Sequence, residues 1–148
     1  MGDIKEKYLR EAIEEYSKRI SRFADLKIIE LKENVATSNN NSDIANALKK
    51  DAKQIQPHLK GHCICLDIKG KMLSSEELAQ KINKTALTNS EISFIIGASN
   101  GIDEEIKNIC KEKISFSPMT FPHQLMRLIF LEQLYRSFTI LNNISYHK

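Results

Sequence analysis

The feature that most constrains the fold is a near-continuous apolar run, His62-Cys-Ile-Cys-Leu-Asp-Ile68. Such a run is typical of a strand covered by helices on both faces, because neither face needs polar side chains. A shorter run of the same kind spans residues 92–96, and helical patterns separate the runs. This alternation predicts an α/β fold in which helices flank a mostly parallel sheet.

The other elements follow from apolar spacing and end signals along one domain, residues 1–148. Asp3 and Ser42 are the predicted caps of the first two helices. Ser74 and Glu77 are spaced as a capping box, and Gly70 is predicted to turn the chain. Helices are predicted over residues 4–22, 43–56, 74–87, 103–111 and 122–141, and strands over 26–31, 62–68, 92–96 and 114–116.

The last helix is apolar over more than one face. This pattern indicates either burial within the core or packing against another subunit.

Composition indicates a soluble globular protein, with 41% hydrophobic and 28% charged residues. No apolar run approaches the roughly 20 residues that a membrane-spanning helix needs, and the charged N-terminus has no signal-peptide core. Cys63, Cys65 and Cys110 are an odd number without metal-ligand spacing, which predicts no metal. Cys63 and Cys65 alternate along an apparent strand, which predicts buried reduced thiols and, with them, a cytoplasmic location.

The net charge of +3 permits a polyanionic partner without requiring one. Residues 111–148 carry five Lys/Arg against two Asp/Glu, so the positive excess lies in the C-terminal part. Lys69 and Lys71 flank Gly70, where they are suited either to phosphate contact or to simple solvation.

Two loops are candidates for ligand binding. Residues 114–123 combine a strand end with a loop bracketed by Pro118 and Pro122, which restrict the backbone at both ends. Gly97-Ala-Ser-Asn-Gly101 joins a strand to a helix, where open α/β sheets bind ligands, but it matches neither the dinucleotide nor the phosphate-loop fingerprint. Residue chemistry alone leaves the first loop open between a structural connection and a binding site.

Six segments, taken in order, closely resemble the ribosomal RNA large subunit methyltransferase H family of small SPOUT-class methyltransferases. The resemblance covers essentially the whole chain. The segments are Lys5-Glu-Lys-Tyr8, Gly70-Lys-Met-Leu-Ser-Ser75, Phe94-Ile-Ile-Gly-Ala-Ser-Asn-Gly101, Ser115-Phe-Ser-Pro-Met-Thr-Phe-Pro-His-Gln124, Glu132-Gln-Leu-Tyr-Arg136 and Tyr146-His-Lys148.

The resemblance implies a homodimer with a C-terminal trefoil knot that binds S-adenosylmethionine. It implies methylation of N3 of a pseudouridine in 23S rRNA of the assembled ribosome. The cofactor contacts carried over by the resemblance are Leu66, Gly97, Phe116, Ser117, Pro118, Met119, Thr120 and Phe121.

Tyr146, His147 and Arg136 are the candidate catalytic residues, with the tail shaping or closing the site and Arg136 orienting phosphate or base. The other reading is that the tail only packs over the cofactor. Two departures from the family pattern stand out: Ala98 replaces a second glycine, and the family's first strand is missing, which predicts a sheet one strand short.

Two alternative functions are a non-catalytic ribosome- or RNA-binding α/β protein and a general nucleotide-binding protein. Failure to bind S-adenosylmethionine distinguishes the first. Comparable binding of nucleotides that lack the methionine part distinguishes the second.

Overall fold

A parallel sheet lies at the centre of the computed structural model, which describes residues 1–2, 4 and 6–147. Its three strands, within that part of the chain, are β1 (His62–Met72), β2 (Ile92–Ile96) and β3 (Glu112–Ser115). The strand order is β2-β1-β3, and both pairings are parallel. The predicted parallel α/β sheet is therefore confirmed.

Helices cover both faces of the sheet. The helices are α1 (Lys7–Ile20), α2 (Asn41–Ile55), α3 (Ser75–Ala86), α4 (Glu104–Ile109) and α5 (His123–Leu141), and a short 3-10 turn, Gln56–His58, follows α2. One core cluster joins α1, α3 and α5 to the sheet, and a second joins α2 and α4 to its other face. Ile64 and Cys65 are adjacent on β1, belong to different clusters and are each 0% exposed.

The long helix α5 packs between α1 and α3. Phe130, Leu131 and Leu134 enter the core cluster on this side of the sheet. The wide apolar surface of this helix was predicted to be buried in the core or to pack against another subunit. For these three side chains the answer is burial in the core.

The predicted strand at residues 26–31 is wrong. These residues pair with no strand in the described part of the chain, and Ile28 and Ile29 are each 39% exposed. The Gly2 N–H donates to the Leu31 carbonyl at 2.8 Å, and the Met1 ammonium donates to the Ile96 carbonyl at 3.0 Å. Apolar spacing favours an extended backbone, but a strand also needs a neighbour to pair with its N–H and C=O groups.

One predicted helix cap is confirmed and another is wrong. The capping box at α3 is confirmed, since Ser74 Oγ accepts from the Glu77 N–H and Glu77 Oε2 from the Ser74 N–H. The cap of α2 is Asn40, not Ser42, because Asn40 Oδ1 accepts from the Asp43 N–H at 2.7 Å. Asp3 lies outside the described residues.

Gly70 does not turn the chain, contrary to the prediction, because β1 continues past it to Met72. Both Leu66 and Lys71 pair with Ile114 of β3, so residues 67–70 form a bulge between them. A Cβ on Gly70 would lie 2.6 Å from the carbonyl carbon of Ile114. Glycine therefore allows the close passage of β1 beside β3.

Gly70→Ala is expected to destabilise the protein by about 2 kcal/mol, because the added methyl group overlaps backbone atoms that cannot rotate away. Urea unfolding measures the change. Lys69→Ala, an exposed change in the same bulge, is the control and should stay within about 0.5 kcal/mol of wild type. Equal stability of the two variants would contradict the close passage.

Candidate functional site

The carboxyl ends of the strands bring distant parts of the chain together. Leu66 of β1 pairs with Ile96 of β2 and with Ile114 of β3. Gly97 follows β2 directly, and Phe116 follows β3. Three predicted cofactor positions, far apart in sequence, therefore lie at one edge of the sheet, where parallel α/β sheets bind ligands.

A cavity of about 330 Å³ lies between the end of β3, the start of α3 and α5. This volume is within the range of small-molecule sites, about 300–1,000 Å³. The described residues that line it offer apolar surface, three hydroxyl groups and one amide, and none of them is ionisable. They are Leu73, Ser74, Ser75, Leu78, Ile114, Ser115, Phe116, Phe121, Ile129 and Gln133.

Of the predicted cofactor residues, Phe116 and Phe121 line this cavity. Phe116 is held by an edge-on contact with Phe130 of α5, with ring centroids 6.4 Å apart. Leu66 and Gly97 lie at the strand ends without belonging to the cavity wall. The structure thus assembles part of the predicted set into one wall and places the rest beside it.

The loop after β3 is organised by Ser117. The Ser117 carbonyl accepts from Ser115 Oγ at 3.1 Å, and Ser117 Oγ accepts from the Met119 N–H at 3.0 Å. At its tip Pro118 and Thr120 are exposed, and Met119 is 69% exposed. The middle of the predicted cofactor segment therefore faces outward from a loop whose shape is set by its own hydrogen bonds.

The structure leaves no room for a side chain at Gly97. A Cβ there would lie 2.5 Å from the Gly101 carbonyl oxygen, because the loop closes on itself through a Gly101 N–H bond to the Ala98 carbonyl. Ala98 packs against the core cluster on the α2 and α4 face. The Ala98 methyl group consequently does not narrow the described cavity.

The tail folds back onto α5. The Tyr146 ring meets that of Tyr135 edge-on at 4.9 Å, and its hydroxyl donates to Glu132 Oε1 at 3.1 Å. The Arg136 guanidinium lies over the Tyr146 ring, 4.8 Å from the centroid, and donates to the same Glu132 oxygen through Nε and Nη2. Burial, with the hydrogen bond to Tyr16 and the Glu132 charge, raises the pKa of Tyr146.

His147 connects the tail to the start of α3. Its Nδ1 lies 3.4 Å from Arg136 Nη1, and its Nε2 lies 2.6 Å from Glu76 Oε1. Ser74 Oγ donates to the other Glu76 oxygen, and this bond together with His147 lowers the pKa of Glu76 to about 2. Both imidazole nitrogens are engaged, so His147 has no free nitrogen to accept a substrate proton in this arrangement.

Three residues without a predicted role link the tail to the cavity. Glu132 Oε2 accepts from Gln133 Nε2 at 2.7 Å, and Gln133 Oε1 accepts from Ser75 Oγ at 2.7 Å. Gln133 and Ser75 line the cavity, and Glu132 holds Tyr146 and Arg136. The i,i+4 spacing of Glu132 and Arg136 is the sequence feature from which their ion pair could have been predicted.

A further residue missed from the sequence is Arg127, which is buried near the start of α5 with 7% exposure. It donates to the Gly2 carbonyl at 2.9 Å and pairs with Glu30 Oε1 at 2.5 Å. The guanidinium therefore links the 26–31 segment to α5. A buried positive charge needs a carboxylate and a hydrogen-bond acceptor of this kind.

All three cysteines are free and buried, as predicted for Cys63 and Cys65, and burial raises the pKa of Cys65 and Cys110. Within the described residues no cluster of His, Cys, Asp or Glu has the arrangement of a metal site. No helix in the described part of the chain is long and apolar enough to cross a membrane.

Comparison with known proteins assigns the chain to one family. The profile described as "Predicted SPOUT methyltransferase" matches residues 1–147. A ribosomal RNA large subunit methyltransferase H of Acetivibrio thermocellus is 47% identical, and the match covers 100% of this chain and 96% of that protein. The protein of the same name from Alkaliphilus oremlandii is also 47% identical, and that from Caldicellulosiruptor saccharolyticus is 45% identical, with the same coverage.

Glu132→Ala is expected to lower the free energy of unfolding by about 2 kcal/mol, because Arg136 and Tyr146 lose a charged, partly buried acceptor. Hydrogen exchange should also show lost protection in residues 144–147. The matched control is Glu15→Ala, which breaks an exposed i,i+4 pair with Arg19 and should cost about 0.5 kcal/mol or less. The same small cost for both changes would show that Glu132 does not hold the tail.

Proposed function

Because this chain belongs to the ribosomal RNA large subunit methyltransferase H family of SPOUT methyltransferases, we propose that it is an S-adenosylmethionine-dependent rRNA methyltransferase. Its proposed target is N3 of a pseudouridine in 23S rRNA of the assembled ribosome. The observation that carries the proposal is the position of Phe116 and Phe121. These residues belong to one of the segments that carry the resemblance to the family, and both line the cavity beside the strand ends.

The cavity suits the proposed cofactor in size and chemistry. Its aromatic rings fit the faces of a nucleoside and favour a nearby positive charge. Ser74, Ser75 and Ser115 hydroxyls and the Gln133 amide fit hydrogen-bonding edges without adding charge. When bound, S-adenosylmethionine supplies a methyl group attached to a positively charged sulfur. Its contacts in this proposal are Leu66, Gly97 and residues 116–121.

The chain's own contribution is to position the reactants and exclude water. The described cavity wall contains no ionisable side chain, and His147 is hydrogen-bonded at both nitrogens. We therefore assign Tyr146 and His147 to shaping and closing the site, with proton transfer by His147 as the alternative. Arg136, held by Glu132 at 2.6 Å, orients a phosphate or base of the substrate.

The proposal extends to the assembly and topology that the resemblance implies: a cytoplasmic homodimer with a C-terminal knot. Light scattering checks the dimer.

Methyl transfer to ribosomes that lack the modification tests the reaction. Radiolabel should enter 23S rRNA of assembled ribosomes far faster than it enters deproteinised rRNA, and calorimetry should show S-adenosylmethionine binding. A folded protein that binds no S-adenosylmethionine would instead be a non-catalytic binding module. Equal binding of adenosine, which lacks the methionine part, would indicate a general nucleotide-binding protein.

His147→Ala tests the role of the tail. Loss of the bond to Glu76 should weaken S-adenosylmethionine binding several-fold while turnover at saturation stays within about tenfold, whereas loss of a proton-transfer group costs about 10²–10⁴-fold. His58→Ala, on the exposed 3-10 turn, is the matched control and should change neither quantity. A turnover loss of the larger size, with a changed pH profile, would assign proton transfer to His147.

A further inference from the structure

One part of β1 runs beyond the regular sheet. We define residues 67–72 as the β1 overhang. The pairing of β1 with β2 ends at Leu66, and pairing with β3 resumes only at Lys71. Four of its six residues, Ile68, Lys69, Lys71 and Met72, are exposed. They lie on the most deeply buried strand, which gives this surface a rigid support.

The overhang carries two exposed lysines that form no ion pair with the described residues. Lys69 and Lys71 are exposed, and no ion pair involves either of them in the described part of the chain. The one carboxylate in the overhang, Asp67, is already used: Oδ2 pairs with Lys107 at 2.8 Å and Oδ1 accepts from the Lys69 N–H at 2.9 Å. Asp67 and Glu104 share Lys107 as their cation, so the ammonium groups of Lys69 and Lys71 are not drawn into this ion pair and remain available to an external anion.

The nearest acids along the chain are also engaged. Glu76 receives hydrogen bonds from Ser74 and contacts His147, and Glu77 closes the capping box through the Ser74 N–H. The carboxylates at the start of α3 are therefore held toward the helix end and the tail. Neither carboxylate is therefore an ion-pair partner of Lys69 or Lys71.

The overhang also lies beside the candidate cavity. Lys71 pairs with Ile114, and Met72 pairs with Ser115. Both β3 residues line the cavity, and Ser115 begins the loop that carries Phe116 and Phe121. An anionic chain on the overhang would consequently run past the mouth of the site.

Two exposed apolar side chains flank the lysines in the sequence. Ile68 is 59% exposed and Met72 is 60% exposed. A nucleic acid matches this mixture, because lysines contact phosphates while apolar side chains contact sugars and base faces. A two-fold contact between copies of this surface would instead bring lysines of like charge together, which is unfavourable.

We propose that the β1 overhang is the surface on which the ribosomal RNA lies beside the cavity, with Lys69 and Lys71 each contacting a backbone phosphate. The inference rests on the proposed function and names the part of the chain that receives the RNA. The close passage of Gly70 beside Ile114 places the backbone between the two lysines next to the cavity wall.

The test compares Lys69→Gln/Lys71→Gln with Lys49→Gln/Lys50→Gln. The control pair lies exposed on α2, which packs on the other face of the sheet, and removes the same charge. Binding to large ribosomal subunits and to deproteinised 23S rRNA is measured over a salt series without S-adenosylmethionine. The first variant should bind about tenfold more weakly at low salt, and its log–log salt slope should fall by about 1.4–1.8 for two lost phosphate contacts. The control should keep the wild-type slope.

Three results would overturn the proposal. Equal losses in both variants would show a general charge effect. A loss on ribosomal subunits that is absent on deproteinised rRNA would assign the lysines to a ribosomal protein. A changed mass by light scattering would make the overhang a subunit contact.

Two additional measurements separate folding and catalysis from RNA binding. Lys69→Arg/Lys71→Arg keeps both charges and should keep the wild-type slope, so a slope reduced in this variant would also count against the proposal. Calorimetry should give both glutamine variants the wild-type affinity for S-adenosylmethionine. A wild type that binds rRNA with the expected slope but transfers no methyl group would refute the proposed reaction and leave the overhang assignment standing.

Discussion

The burial of β1 on both faces is the constraint on which the rest of the structure depends. Ile64 and Cys65 are neighbours in sequence, point to opposite faces and are both completely buried. Burial of both faces requires a helical layer on each side, and parallel pairing places the carboxyl ends of all three strands at one edge. The candidate site is a consequence of that edge, because the loop after β3 and the start of α3 meet there beside α5.

The helix α5 provides the second support, since it carries contacts to distant parts of the chain along a single rigid element. Arg127 holds the 26–31 segment near its start, Phe130 packs in the core, and Glu132 organises the tail near its end. After α5 the chain reverses at Asn143, whose φ of 53° lies in the left-handed region that asparagine tolerates better than most residues. This reversal returns Tyr146 to α5 and completes the connection between tail and cavity.

The sequence supported accurate prediction where a pattern is local or repeated. The strand at 62–68, the capping box at Ser74 and the final helix each have such a pattern, and all three are present in the structure. The prediction of a strand at 26–31 was wrong because apolar spacing describes the segment itself and gives no information about a neighbouring strand to pair with it. Gly70 was misread for a related reason: glycine indicates both turns and close backbone approaches, and only the position of Ile114 distinguishes them.

The sequence by itself determined the fold class, the family and the segment containing the two phenylalanines of the cavity wall. Apolar periodicity records the fold class directly, whereas the family and its cofactor segment follow from the resemblance of six segments in a linear order. Only the tertiary structure decided that Glu132 joins the tail to Gln133 and Ser75, that Arg127 is buried, and that Lys69 and Lys71 lie beside the cavity. Such contacts join residues far apart in the chain, so they exist only after the strands and helices have packed.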